Sequence, residues 1–257
     1  DGLALGDQGQ VVDWLVEMRR LPDALTLEAF ITAGGPARSQ VMGVARLLAG
    51  FYGGLPSQQA DPEAYCSRFA DEIGKTRQVL TDPDLWPLGP ELSAALADCD
   101  IAFAAAAPVM RDRAGRGYVR EGHGDLRPQH VFLTDPPVII DCIEFNLNLR
   151  LVDPLDEAIF LGMECAHLGA EWITGDLIAG LDRAIGAPPP VLAEFYWRYR
   201  ALLRARLSLL HLVLQPGRTP ERWRPLARDY VALSARPELI RRQPADPAPG
   251  GSGGAVL

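Results

Sequence analysis

An α+β fold, predominantly helical, follows from three observations on the sequence. Apolar residues recur at three- and four-residue steps through most of the 257 residues, the period of amphipathic helices. Prolines stand at the start of several of these patterns, where a missing backbone N–H does no harm. Branched apolar runs are short and gather around one turn-rich stretch, 118–141, so strands are expected mainly there. A chain of this length buries a sizeable core in one large domain or two small ones.

Taken in order, residues 11–18 place Val11, Val12, Trp14, Leu15 and Val16 after the turn-rich Gly6-Asp7-Gln8-Gly9 and predict a strand that Pro22 ends. Val41, Val44, Ala45, Leu48 and Phe51 then make one apolar helix face. Two further helices are expected over 62–80 and 90–111, each with proline near its start. Tyr118-Val119-Arg120 and a hairpin over 131–141 supply the short strands. Asp153 is placed to cap a helix opened by Pro154, with Asp156 and Glu157 in the first turn, where the helix dipole favours acids. Residues 172–185 predict another helix. After Pro188-Pro189-Pro190 comes a long one, with Val191, Leu192, Phe195, Tyr199, Leu202 and Leu203 inward and Arg198, Arg204 and Arg206 in solvent. A last helical segment covers 220–233. From Gln243 the Pro-, Gly- and Ser-rich tail, 243–257, reads as a disordered linker.

Composition narrows the function classes. Hydrophobic content of 48% with 23% charged residues is that of a soluble globular protein. A formal charge of -8 argues against a nucleic-acid partner held by general basicity. Among 25 basic residues, Lys75 is the only lysine. Cys66, Cys99, Cys142 and Cys165 form no Cys-x-x-Cys pair, which speaks against a zinc or redox motif and suits a reducing cytoplasm. No secretory signal opens the chain, and the longest uncharged apolar run, 101–110, is too short to span a membrane. A cytoplasmic protein with no membrane partner is the expectation. Its start at Asp1 reads as that of a fragment or a trimmed product.

The chemistry concentrates in Glu121-Gly122-His123-Gly124-Asp125-Leu126-Arg127-Pro128-Gln129-His130, followed by the apolar Val138-Ile139-Ile140, which delivers Asp141, and then Glu144. Alone, Asp125 reads as a turn aspartate bonding its own backbone. Asp141 ends an apolar strand, where an unpaired carboxylate is expensive to bury. It is either an acid emerging into water or the ligand of a cation such as magnesium, which takes oxygen ligands and several waters. The two acids at this interval point to more than two isolated turns.

At these residues the chain resembles the aminoglycoside phosphotransferase family. Its catalytic loop reads His-Gly-Asp-x-x-x-x-Asn, and its metal aspartate follows in an Ile-Asp-x segment. The resemblance covers roughly 11–233 and implies a protein-kinase-like C-terminal lobe over 22–242, preceded by a short remnant of the N-terminal lobe and hinge over 1–21. It implies ATP or GTP as phosphoryl donor and a small-molecule alcohol as acceptor. Asp125 matches the aspartate that orients the acceptor hydroxyl, and His123 the histidine that braces the loop. Arg127 is either a contact to phosphate or acceptor or a solvated, ion-paired arginine. Asp141 matches the magnesium ligand, with Glu144 beside it as a further metal contact or support. Asp153 and Asp156 match the Asp-Pro-x-x-Asp run that scaffolds the loop. His130 stands where the family has asparagine: either it is a metal ligand, whose nitrogen suits manganese or zinc better than magnesium, or it serves another role such as contacting phosphate. Glu17, Met18 and Arg19 fall where the hinge lines the adenine pocket. Glu157, Glu164 and Glu171 are acids that a polycationic acceptor would meet.

Two other classes remain open on the sequence. No phosphate-covering glycine loop or strand lysine precedes the hinge, and Lys75 lies in a polar helical stretch, which suits a non-catalytic pseudokinase or interaction module. His123, Asp125, His130 and Asp141 could also ligate the metal of a hydrolase.

Overall fold

The longer helices lie where their apolar stripes find cover. The computed structural model describes residues 6, 11–14, 17–58, 60–85, 89–214 and 220–241. The fold is α+β and mostly helical. Helix α1 (Leu27–Thr32) is capped by the Thr26 side chain, which accepts from Ala29 N at 3.1 Å. Helix α2 (Arg38–Gly54) buries Val41, Val44, Ala45, Leu48 and Tyr52. Phe51, expected inward, is 46% exposed, because the four-residue step from Leu48 falls on Tyr52. Helices α3 (Pro62–Leu80) and α4 (Pro90–Gly115) each open on their proline. By length and composition α4 is apolar enough to cross a membrane. Here it buries Leu92, Leu96, Cys99, Ala106 and Met110 and packs against α3 and α8.

The strands are two-residue clamps around one loop. Strand β1 (Arg120–Glu121) pairs antiparallel with β4 (Leu151–Val152), matching Arg120 to Val152. Strand β2 (Val131–Phe132) pairs antiparallel with β3 (Val138–Ile139), matching Val131 to Ile139. A short helix, α5 (Leu147–Arg150), leads into β4. Residues 122–130 are thereby held at both ends.

Helix α6 (Pro154–His167) follows β4 directly and is buried on every side from Pro154 to Ala166. Asp153 caps it, accepting from Leu155 N at 3.0 Å. Helix α7 (Ile173–Ile185) joins α2 to α6, while α8 (Pro190–Leu214) lies across α3, α4, α6 and α9 (Pro220–Ser234). The arginines of α8 depart from their expected place in solvent. Arg204 pairs with Glu164 at 2.9 Å, Arg206 with Glu72 at 2.7 Å and Arg198 with Glu194 at 2.9 Å. They sit on the crowded side of the helix, where a long charged side chain is held only if paired. Val191, expected inward, is exposed.

No strand forms at the described residues of the expected 11–18 strand. Residues 11–14 and 17–20 have no regular structure, and Val11, Val12, Trp14 and Met18 are exposed. A single extended segment has no stability without a partner edge, and none lies beside it among the described residues. Leu15, Val16 and the tail 243–257 lie outside the described residues.

Candidate functional site

Glycines set the path of the loop. A Cβ on Gly122 would collide with the Glu157 carboxylate and come within 2.7 Å of Val152 Cγ2. Gly124 has φ +85, and a Cβ there would stand 3.0 Å from Leu149 O. Both positions bring the backbone onto α6 and α5 without a side chain between.

The anchor of the loop is Glu157, fully buried in α6. Its carboxylate accepts from His123 N at 3.0 Å, from Gly124 N and from the Tyr52 hydroxyl. Burial, and then the adjacent Glu157 charge, push the Tyr52 phenol well above its ordinary range, so it stays a donor. Two neighbouring acids fix α6 in turn. Asp153 takes Arg113 at 2.6 and 2.9 Å, and Asp156 takes Arg200 at 2.7 and 2.6 Å. Burial opposes the Arg200 charge, but Asp156 outweighs it and holds the guanidinium above its ordinary value. Glu157, Arg113, Arg200 and Tyr52 are the residues sequence reasoning missed as supports. The available signal was three acids in an apolar helix, where each needs a partner.

His123 spends both ring nitrogens on backbone. Its Nε2 lies 2.8 Å from Ile140 O, and its Nδ1 accepts from Asp125 N at 3.2 Å. The ring thus ties the loop to the segment carrying Asp141. His130 stacks beside it with ring centroids 5.7 Å apart. Its Nδ1 lies 2.9 Å from Asp125 O and 4.0 Å from Asp125 Oδ2, while its Nε2 lies 3.3 Å from Asp141 Oδ2. A carbonyl only accepts, so Nδ1 carries the proton, and in the neutral ring the Nε2 lone pair faces the Asp141 carboxylate. A metal ion shared between the two atoms would make this contact favourable.

Asp141 sits at φ +66, an uncommon backbone for a residue with a Cβ, and its side chain is 73% exposed. Strain of this kind collects at functional sites. Asp125 lies beside Arg127 at 3.8 Å, and Arg127 is also held by Glu164 at 3.5 Å. Among the described residues no group of three or more His, Cys, Asp and Glu side chains could hold a metal. Magnesium asks for less than that, one or two carboxylates with substrate phosphates and water, so Asp141 and His130 fit it. The imidazole nitrogen fits manganese better. Glu144 makes no hydrogen bond or ion pair with these residues and lines a different cavity.

Two cavities flank the loop. Gly124 and Asp125 open on one of about 330 Å³, whose apolar wall includes Phe69, Phe160, Tyr199 and Leu203. Gly122 and His123 open on another of about 820 Å³, lined by Leu47, Phe51, Val138, Cys142 and Glu144. Of the acids expected to meet a polycation, Glu157 and Glu164 are buried and bonded within the fold, and Glu171 pairs with Arg236 at 3.4 Å. Glu17, Met18 and Arg19 are exposed, in a segment without regular structure.

No protein-family model matches the chain, and no solved structure matches it. Curated relatives do, among them uncharacterized proteins of Mycobacterium bovis strain AF2122/97 and of Mycobacterium tuberculosis strains CDC 1551 and H37Rv. Each is 28% identical over 205 residues, which are 76% of this chain and 40% of the relative. The chain is thus similar to these mycobacterial proteins and spans about two fifths of their length.

Proposed function

We propose that this chain is the larger, kinase-like lobe of a nucleotide-dependent phosphotransferase of the aminoglycoside phosphotransferase type, acting on a small alcohol. The observation that carries the reading is the His130 ring, set between Asp125 and Asp141 beside a cavity that opens on Asp125. The donor is ATP or GTP with magnesium or manganese, and Asp141 and His130 are the residues that would hold the metal. When bound, that ion neutralises charge on the phosphates.

Asp125 orients the acceptor hydroxyl and takes its proton on the carboxylate, which lies 3.8 Å from Arg127. His123, Glu157 and the two glycines hold the loop, so that Asp125 is presented without rearrangement. The aromatic wall of the smaller cavity excludes water from the acceptor. A volume of about 330 Å³ lies near the lower end of ligand sites, which favours a small acceptor over a bulky polycation.

Calorimetry with ATP and GTP, with and without each metal, tests this on the chain and on Asp141→Ala. Metal-dependent binding that Asp141→Ala abolishes supports the reading. In an active preparation Asp125→Asn is then expected to lower turnover by ~10²–10⁴ while leaving nucleotide binding intact. The single lysine favours a second reading, a non-catalytic pseudokinase or interaction module, since Lys75 is spent on Glu72 at 2.6 Å. Folded chain that binds no nucleotide with either metal supports that alternative.

A further inference from the structure

The cavity of about 820 Å³ takes no part in the phosphoryl-transfer reading, and its chemistry is of another kind. We propose that it is a binding site for a small cationic amphiphile, an apolar ring or chain carrying an ammonium group. The volume is that of a small-molecule site, and the walls from α2 and β3 are apolar. Leu47, Phe51 and Val138 remain between 36% and 46% exposed there, surface that a ligand's apolar body would withdraw from water.

The charge of the ligand follows from the rim. Arg150 is saturated, with Nη2 on Glu121 at 2.6 Å and Nη1 on Ile143 O at 2.6 Å and Glu144 O at 3.3 Å. The Glu144 carboxylate is exposed and has no hydrogen-bond or ion-pair partner among the described residues. Two carboxylates against one guanidinium leave the rim net negative. The half-exposed Phe51 ring adds a face to which an ammonium is attracted. An anionic amphiphile of the same shape meets repulsion at Glu144, and a neutral one gains only the apolar burial.

Cys142 lines this cavity and is exposed, whereas Cys66, Cys99 and Cys165 are buried, so its alkylation reads occupancy. The probes are 4-phenylbutylamine, 4-phenylbutanol and 4-phenylbutyrate, which share one apolar body and differ in charge. The amine is expected to slow iodoacetamide labelling of Cys142 and to bind roughly threefold to tenfold tighter than the alcohol, with the carboxylate weakest. Glu144→Gln is expected to erase the advantage of amine over alcohol, and Phe51→Ala to weaken both. Circular dichroism melting checks that each variant folds. Equal protection by all three probes, or protection by none, overturns the proposal. A dimer in sedimentation that Phe51→Ala dissociates, with Cys142 protected before any probe is added, overturns it in favour of a second copy.

Discussion

At His130 the Asp125 carbonyl fixes the proton on Nδ1 and turns the other nitrogen toward Asp141 Oδ2 at 3.3 Å. Asparagine in its place would offer a neutral oxygen, which magnesium accepts more readily than imidazole. His130→Asn is therefore expected to narrow the preference for manganese over magnesium in nucleotide binding. An unchanged metal ratio in calorimetry would take His130 out of the proposed metal site. Tyr52 acts on the opposite end of the loop. Its hydroxyl is one of the donors that make a fully buried Glu157 tolerable. Tyr52→Phe keeps the ring but leaves that carboxylate short of a partner. A loss of about 1.5–3 kcal/mol is expected in urea unfolding, the range for hydrogen bonds to charged groups.

At the scale of elements, α6 is the part that carries acids where acids are costly, and Asp156 with Arg200 shows how they are tolerated. The pair is buried at both ends and bidentate. Arg200→Ala strands a buried carboxylate and is expected to cost roughly 3–5 kcal/mol, whereas Asp156→Leu with Arg200→Met removes both charges and should recover most of it. Denaturant melts of the single and double variants separate these outcomes, and equal destabilisation by both would show that shape rather than charge decides. The cap at Asp153 and the acids of the first turn were legible in the sequence because capping is local chemistry. The starts of α3, α4 and α6 were legible for the same reason, each marked by its proline. The partners Arg113 and Arg200 were not, since each comes from a distant helix and no spacing reveals it. The same limit misplaced Arg204 and Arg206, which the period of α8 left on an apparently free face. The strand over 11–18 had local propensity, and a strand needs an edge to pair with. Of the candidate site, the loop residues were readable as a run, while its anchor Glu157 came only with the fold.

Across the whole molecule, burial raises a set of acids that the unfolded chain would release at ordinary alkaline pH. Burial pushes the Cys99 thiol from 9.0 up to about 12 and the Tyr199 phenol from 10.0 up to about 12. Cys165, buried near the Glu164 charge, is raised well above its ordinary range. The sign follows from proton binding. Between about pH 9 and 12 the native state holds protons that the unfolded state has lost, so stability is full below the unfolded values and falls as pH rises through that window. Alkaline unfolding is therefore expected to set in above pH ~9, with the unfolding free energy declining more steeply as the unfolded-state value of each group is passed. Cys99→Ala should lessen that slope by about one proton, although it weakens packing at every pH. Alkylation supplies an independent reading. At pH 8 iodoacetamide should modify Cys142 alone in the native chain, because the other cysteines are buried, and all four in denaturant. Prompt native labelling of Cys99 or Cys165 at that pH would mean that the helices around α6 open far more readily than their packing allows, and the alkaline prediction would fall with it.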